Sequence, residues 1–202
     1  MSKLKLKVCG LRDNAQEIID NINPDMAGFI YYGKSPRFIG DLAVDKIKAK
    51  CKVGVFVNEG VETVKERVAA HGLDMVQLHG DESVAYCKSL HDQVQVVKVF
   101  SGNKTLSIDL LNTYAEHIDF YLFDTRDENF GGTGKSFDWA GLKSLRLKKP
   151  TILSGGIGLA EAKDALIDKE LNVYAIDVNS KFEIQPGLKD LEMLKSLKEQ
   201  MQ

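Results

Sequence analysis

The sequence has few cysteines, and their number and spacing are not typical of a disulfide scaffold or a zinc site. Cys9, Cys51 and Cys87 are an odd number, and no two of them form a CxxC pair. This number and spacing argue against a disulfide scaffold and a zinc site, and free thiols are typical of a reducing compartment. We expect a cytoplasmic protein without a metal.

Long apolar runs and blocks of like charge are also missing. The longest stretch without Asp, Glu, Lys or Arg is residues 150–160, which is 11 residues, whereas a membrane-spanning helix needs roughly 20 apolar residues. Residues 1–7 lack the apolar segment of a signal peptide. The net charge is -2, from 27 basic and 29 acidic residues. We therefore expect no membrane and no nucleic acid as partners.

Short apolar or alternating runs are separated by amphipathic stretches along the whole chain, and this pattern predicts strands and helices in turn. The predicted strands cover residues 4–10, 26–32, 52–57, 74–78, 94–100, 119–123, 150–153 and 173–178. A predicted helix follows each strand, including residues 42–50 after the second strand and 188–200 at the end. Eight such units predict an α/β fold, a single (β/α)8 TIM barrel of eight parallel strands spanning residues 1–202.

A doubly wound open sheet is the main alternative architecture. At this length it would usually have fewer strands, and a dinucleotide-binding version would carry GxGxxG after the first strand, where Gly10 stands alone. The barrel is therefore favoured. We also find no repeat between its two halves, because the Gly-Gly pair at 155–156 has no counterpart after the third strand.

The active site of such a barrel lies at the C-terminal ends of its strands. Cys9 ends the first strand on the face opposite Leu6 and Val8, so we expect it to point inward. Asp124 ends the sixth strand. A thiol and a carboxyl group have reference pKa values of roughly 8.5 and 4, which suits a reaction that needs one acid and one base. Alternatively, Cys9 is a small buried hydrophobe and Asp124 a solvated strand end.

Two other strand ends carry small and polar residues that predict a phosphate site. Gly155 and Gly156 follow the seventh strand, and Asn179 and Ser180 follow the eighth. Many barrels bind phosphate at these positions, where glycines let backbone N–H groups approach and a helix N-terminus adds a favourable dipole. Gly-Gly alone more often forms only a tight turn.

The remaining candidates are charged or polar residues on or near the inward faces. Arg37 follows a proline and can grip a carboxylate with two hydrogen bonds, although it could equally be a surface arginine. Gln77 and His79 share the inward face of the fourth strand and are expected to form a polar wall. Lys7 would be buried below Cys9 and needs a partner; Asp177 on the adjacent eighth strand is the predicted one.

Several short motifs occur in an order that resembles the phosphoribosylanthranilate isomerase family. The resemblance runs from residue 7 to residue 190 and is specific as an ordered set rather than in any single piece. The motifs are KVCG at 7–10, SPR at 35–37, VGVFV at 53–57, VQLHGDE at 76–82, FDT at 123–125, GGTG at 131–134, FDW at 137–139, LSGG at 153–156, DVNS at 177–180, FE at 182–183 and PGLKD at 186–190.

The resemblance implies a metal-free and cofactor-free TIM-barrel enzyme of tryptophan biosynthesis. The family performs the Amadori rearrangement of N-(5-phosphoribosyl)anthranilate, a phosphosugar. By the matching motifs, Asp124 would be the general acid, Cys9 the general base and Arg37 the residue that holds the anthranilate carboxylate. Gly155 and Gly156 would cradle the phosphate. The loop 131–134, with Thr133, would cover the substrate.

This chain departs from the family pattern at two positions near the expected phosphate site. Ser154 stands where many members have a small residue, often alanine, and Lys181 stands where many have glycine. Lys181 is compatible with a helix-start amide that binds phosphate.

Two other functions stay open, as does the choice between monomer and homodimer. The histidine-pathway isomerase performs the same rearrangement on another aminoribosyl phosphate, but that family resembles a duplicated half-barrel with two catalytic aspartates. A non-catalytic barrel that only binds a phosphosugar would tolerate replacement of Cys9 and Asp124.

Overall fold

Eight parallel strands close into a barrel in the computed structural model of the protein, which describes residues 3–101, 107–124, 140–143, 145–167 and 173–202. Each strand pairs with the next, and β1 pairs with β8 to close the sheet. The predicted (β/α)8 barrel is confirmed. Its strands are β1 (Lys5–Val8), β2 (Met26–Ile30), β3 (Lys52–Phe56), β4 (Met75–Leu78), β5 (Gln95–Ser101), β6 (Phe120–Asp124), β7 (Thr151–Leu153) and β8 (Val173–Val178).

Helices occupy the connections between most strands. They are α1 (Ala15–Ile22), α2 (Val61–His71), α3 (Val84–His91), α4 (Ile108–Tyr114), α5 (Ala140–Lys143), α6 (Leu159–Ile167) and α7 (Leu191–Gln200). Within the described ranges no helix is long and apolar enough to cross a membrane.

Two helix predictions differ from the structure. The segment 42–50 forms only a 3-10 turn at Val44–Lys46. Val44 and Ile47 are the two buried residues of this segment, and their spacing of three places them on one face of a single 3-10 turn. At the other end of the chain, α7 begins at Leu191 because Leu188–Lys189 forms β10, which pairs antiparallel with β9 (Glu183–Gln185).

Alternation along the strands separates two apolar cores. On β6, Phe120 and Leu122 belong to the cluster inside the barrel, whereas Tyr121 and Phe123 belong to the cluster between strands and helices. Because side chains in a strand alternate between its two faces, the next inward position is Asp124. The same alternation on β1 places Leu6 and Val8 outside, so the inward direction predicted for Cys9 agrees with the structure.

Candidate active site

One pocket opens at the C-terminal ends of the barrel strands. Parallel strands bring residues that are distant in sequence to this rim, because all of their C-terminal ends meet at one end of the barrel. Thr133, which was predicted to contact substrate, lies outside the described residues. The other predicted site residues all line the pocket: Cys9, Arg37, Gln77, His79, Asp124, Gly155, Gly156, Asn179 and Ser180.

Asp124 stands at the end of β6 beside a histidine. Its Oδ2 lies 3.4 Å from Nε2 of His79, and Nδ1 of His79 lies 3.1 Å from Nε2 of Gln77. With the amide nitrogen of Gln77 as donor, Nδ1 accepts, and a neutral imidazole then carries its proton on Nε2, facing the carboxylate. Gln77 therefore orients His79, and His79 lies next to the Asp124 carboxylate in the wall of the pocket.

Cys9 follows β1, which is three strands around the closed barrel from the β6 strand of Asp124, and its side chain is buried. Its backbone N–H donates to the carbonyl of Val178 at 2.9 Å, which fixes the end of β1 against β8. Gly28 on β2 leaves the space for the thiol, since a Cβ at that position would lie 2.9 Å from Sγ. Burial raises the pKa of Cys9, and the nearby Lys7 ammonium opposes that shift. Burial thus makes the thiolate a strong base once it forms, and Lys7 makes it easier to form.

Lys7 and Asp177 form the ion pair that the sequence predicted. Their Nζ and Oδ2 atoms lie 2.8 Å apart, with side chains 0% and 3% exposed. The two residues are register partners on β1 and β8. Oδ1 of Asp177 is also buried, and it has no hydrogen-bond partner among the described residues. Burial raises the pKa of Asp177, and the Lys7 ammonium opposes that shift.

Arg37 reaches the pocket from the loop after β2, but it already has a carboxylate partner. Its Nε and Nη2 donate to Glu183 at 2.7–2.9 Å. Glu183 in turn accepts from Nζ of Lys189 at 2.7 Å. Burial opposes ionisation of Glu183, but the hydrogen bonds from Arg37 and Lys189 outweigh it, and the pKa of Glu183 falls below its ordinary value.

The predicted phosphate positions lie together at the ends of β7 and β8. Gly155 and Gly156 both have positive φ, +87° and +66°, a conformation that glycine adopts without strain. Ser180 opens a 3-10 turn, Ser180–Phe182, and Lys181 within it lines the pocket. The structure thus places a cation and two glycine backbones together in the lining of the pocket.

Sequence reasoning missed three charged residues of this region. Lys34 lines the pocket beside Arg37, and Glu183 and Lys189 stand behind it. Glu183 and Lys189 occur in the motifs that carried the family resemblance, which was the available signal, but no role followed from their spacing. Among the described residues, no three His, Cys, Asp or Glu side chains are gathered so that they could hold a metal ion.

Comparison with known proteins identifies the family of this chain. The family model described as N-(5'phosphoribosyl)anthranilate (PRA) isomerase matches residues 6–200. The N-(5'-phosphoribosyl)anthranilate isomerase of Parabacteroides distasonis is 36% identical over 205 residues, which cover 97% of this chain and 92% of the relative.

Solved structures of the same family share the fold over the whole chain. A phosphoribosylanthranilate isomerase in complex with reduced 1-(o-carboxyphenylamino)-1-deoxyribulose 5-phosphate superposes with a TM-score of 0.79 at 26% identity, covering 98% of both chains. Monomers generated from the dimeric enzyme of Thermotoga maritima superpose with a TM-score of 0.80, also at 26% identity and 98% coverage of both chains.

Proposed function

The chain belongs to the N-(5'-phosphoribosyl)anthranilate isomerase family of tryptophan biosynthesis, and we propose that Asp124 and Cys9 are the acid and base of the reaction in this protein. The substrate is the phosphosugar N-(5-phosphoribosyl)anthranilate, and the product is 1-(2-carboxyphenylamino)-1-deoxyribulose 5-phosphate. The observation that carries this proposal is the meeting of Cys9, Asp124, Arg37 and the Gly155–Gly156 turn in one pocket.

Ring opening is the first step, and it needs an acid. The protonated carboxyl of Asp124 gives its proton to the ribose ring oxygen as the bond from that oxygen to C1 breaks. The nitrogen lone pair forms the C1–N double bond, which leaves a protonated Schiff base. His79, at 3.4 Å from the Asp124 carboxylate, orients the acid and can donate a hydrogen bond to the carboxylate that this transfer leaves behind.

Proton abstraction at C2 is the second step, and it needs a base on another side of the sugar. Cys9 follows β1, and β1 is three strands away from β6, which ends in Asp124, around the closed barrel. The Cys9 thiolate takes the C2 proton, and the electrons of that bond neutralise the Schiff base to give an enolamine. The enolamine tautomerises to the amino ketone. Lys7, buried behind the thiol, supplies the charge that stabilises the thiolate.

Binding of the substrate's two anionic ends sets this geometry. Arg37 faces the anthranilate carboxylate, and the Gly155–Gly156 turn with Asn179 and Ser180 receives the phosphate. The chemistry needs no metal and no cofactor. All three cysteines are free thiols, which suits a reaction carried out in the cytoplasm.

A fluorescence assay of N-(5-phosphoribosyl)anthranilate consumption tests the proposal directly. The purified protein is expected to consume this compound and to leave the aminoribosyl phosphate of the histidine pathway unchanged. Turnover of the second compound alone would assign the protein to the histidine-pathway reaction. Binding without turnover of either compound would identify a non-catalytic phosphosugar barrel.

A further inference from the structure

Arg37 is not an isolated cation at the pocket, because its guanidinium forms an ion pair with Glu183, which does not line the pocket. Nε donates to both carboxylate oxygens of Glu183 at 2.9 Å, and Nη2 donates to Oε2 at 2.7 Å. The Glu183 side chain is 4% exposed and that of Arg37 is 15% exposed. Within the part of the chain that the structure describes, Nη1 of Arg37 has no hydrogen-bond acceptor, so this edge is left for a ligand.

A second cation stands behind Glu183. Nζ of Lys189 donates to Oε1 of Glu183 at 2.7 Å and to Oδ1 of Asn179 at 2.8 Å, and the Lys189 side chain is fully buried. The group Arg37–Glu183–Lys189 therefore holds two positive charges and one negative charge. Of these three residues only Arg37 lines the pocket. The net positive charge of the group consequently reaches a ligand through the Arg37 guanidinium.

The loop that carries Arg37 is also tied to the β9–β10 hairpin that carries Glu183 and Lys189. Nη1 of Arg12 donates to the carbonyl of Pro36 at 2.9 Å, and its Nη2 donates to the carbonyl of Pro186 at 3.0 Å. Gly187 makes room for this arginine, since a Cβ there would lie 2.8 Å from Cζ. Arg12 thus joins the two segments next to Arg37, which restricts the guanidinium before a ligand arrives.

We propose that Glu183 and Lys189 are positioning residues that aim Arg37 at the aryl carboxylate of the substrate and so set the specificity for a carboxylated arylamine. This inference rests on the proposed function and deepens it. A guanidinium whose rotation is already restricted loses less freedom when it binds a carboxylate than a mobile one does. An arylamine without the carboxylate cannot neutralise the net positive charge of the Arg37–Glu183–Lys189 group, and it leaves the free edge of the Arg37 guanidinium without a hydrogen-bond acceptor.

The test compares N-(5-phosphoribosyl)anthranilate with N-(5-phosphoribosyl)aniline, which lacks the carboxylate. The ratio of their kcat/KM values measures the discrimination. We expect Glu183→Gln to lower that ratio about 10-fold, because the uncharged amide orients the Arg37 guanidinium less well for its charge-assisted hydrogen bond to the substrate. The loss should appear as a higher KM for the carboxylated compound, with little change in kcat. Glu183→Asp keeps the negative charge but has a side chain shorter by one methylene, so it should lower the ratio less. Glu192→Gln on α7, 80% exposed, is the matched control and should keep the ratio.

The outcomes separate this inference from the proposed function. If wild-type protein turns over the anthranilate compound and both Glu183 variants keep the wild-type ratio, the positioning role is overturned. An equal loss on both substrates would overturn it too, since it would show a general structural role. If wild-type protein turns over neither compound, titration calorimetry with reduced 1-(o-carboxyphenylamino)-1-deoxyribulose 5-phosphate and its phenylamino counterpart decides. Weaker preference for the carboxylate in Glu183→Gln supports the inference, and an unchanged preference or no binding refutes it.

Discussion

Nζ of Lys7 lies 2.8 Å from Oδ2 of Asp177 inside the barrel, and Asp177 lines the same pocket as Cys9. Neither charge could be buried alone at an acceptable cost in free energy. The pair therefore allows a positive charge to be buried beside the Cys9 thiol, so the same ion pair affects both the stability of the barrel and the chemistry of its active site.

Removing one member of this pair should destabilise the fold strongly. Lys7→Met leaves the Asp177 carboxylate buried without its partner, and we expect the free energy of unfolding to fall by about 3–5 kcal/mol. Urea denaturation followed by circular dichroism measures this. Replacing both members, as in Lys7→Met/Asp177→Leu, should recover much of the loss because no buried charge remains.

Lys5→Met is the matched control for Lys7→Met. Lys5 pairs with Asp25 at 3.2 Å, but its side chain is 41% exposed, and exposed pairs contribute only about 0–1 kcal/mol. Equal destabilisation by Lys5→Met and Lys7→Met would show that burial of the Lys7–Asp177 pair has no special importance.

Loss of either proton-transfer group should lower turnover far more than binding. We expect Asp124→Asn and Cys9→Ala each to lower kcat by at least ~100-fold in the fluorescence assay, the low end for lost acid–base catalysis. Cys51→Ala is the control, since Cys51 does not line the pocket and should leave kcat near the wild-type value. Near-normal rates for both active-site variants would refute the proposed roles of Asp124 and Cys9.

Much of the fold follows from local periodicity, and the failures have physical reasons. The alternation of residues 4–10 was enough to predict a strand and the inward direction of Cys9 and Lys7, and adjacency of β1 and β8 was enough to predict Asp177 as a partner. The helix prediction for residues 42–50 was wrong because Val44 and Ile47, three positions apart, fit a helix and a single 3-10 turn equally well. Leu188 was predicted to begin the last helix, because its pairing with β9 depends on tertiary structure and leaves no local signal in the sequence.

The Arg37–Glu183 pair could not be predicted, because nothing local relates two residues that are 146 positions apart. The partners of long charged side chains are determined by tertiary structure, whereas the alternation of apolar residues can be recognised within about ten consecutive residues of sequence. The sequence therefore located Arg37 near the site but did not show that it was already paired with Glu183.

The pH dependence of stability should report the ionised state of Glu183. Its pKa in the folded protein lies below the ordinary value of 4.5, because hydrogen bonds from Arg37 and Lys189 outweigh the effect of burial. Its contribution to stability is present above pH 4.5 and is lost as the pH falls through the lower, folded pKa. We therefore expect the gap in unfolding free energy between wild type and Glu183→Gln to narrow as the pH is lowered from 5 toward 3.

Denaturant unfolding at several pH values between 3 and 7 checks this expectation, with Glu192→Gln as the reference. Glu192 is exposed, so its replacement should produce a small difference from wild type that hardly varies with pH. A gap for Glu183→Gln that stays constant or widens toward low pH would contradict a depressed pKa of Glu183.

Gly28 should matter for the position of Cys9 rather than for its chemistry. A Cβ at residue 28 would lie 2.9 Å from Sγ and 3.0 Å from Cα of Cys9, so Gly28→Ala must push the end of β1 toward β8. Overpacking of this kind costs about 1–3 kcal/mol, and kcat should fall roughly 10-fold or more because a reacting group displaced by 1 Å can lose about 100-fold in rate. Gly33→Ala is the control, since an added Cβ there meets no atom within 4 Å. If both variants keep full activity and stability, the close packing of Cys9 on β2 has no part in placing the base.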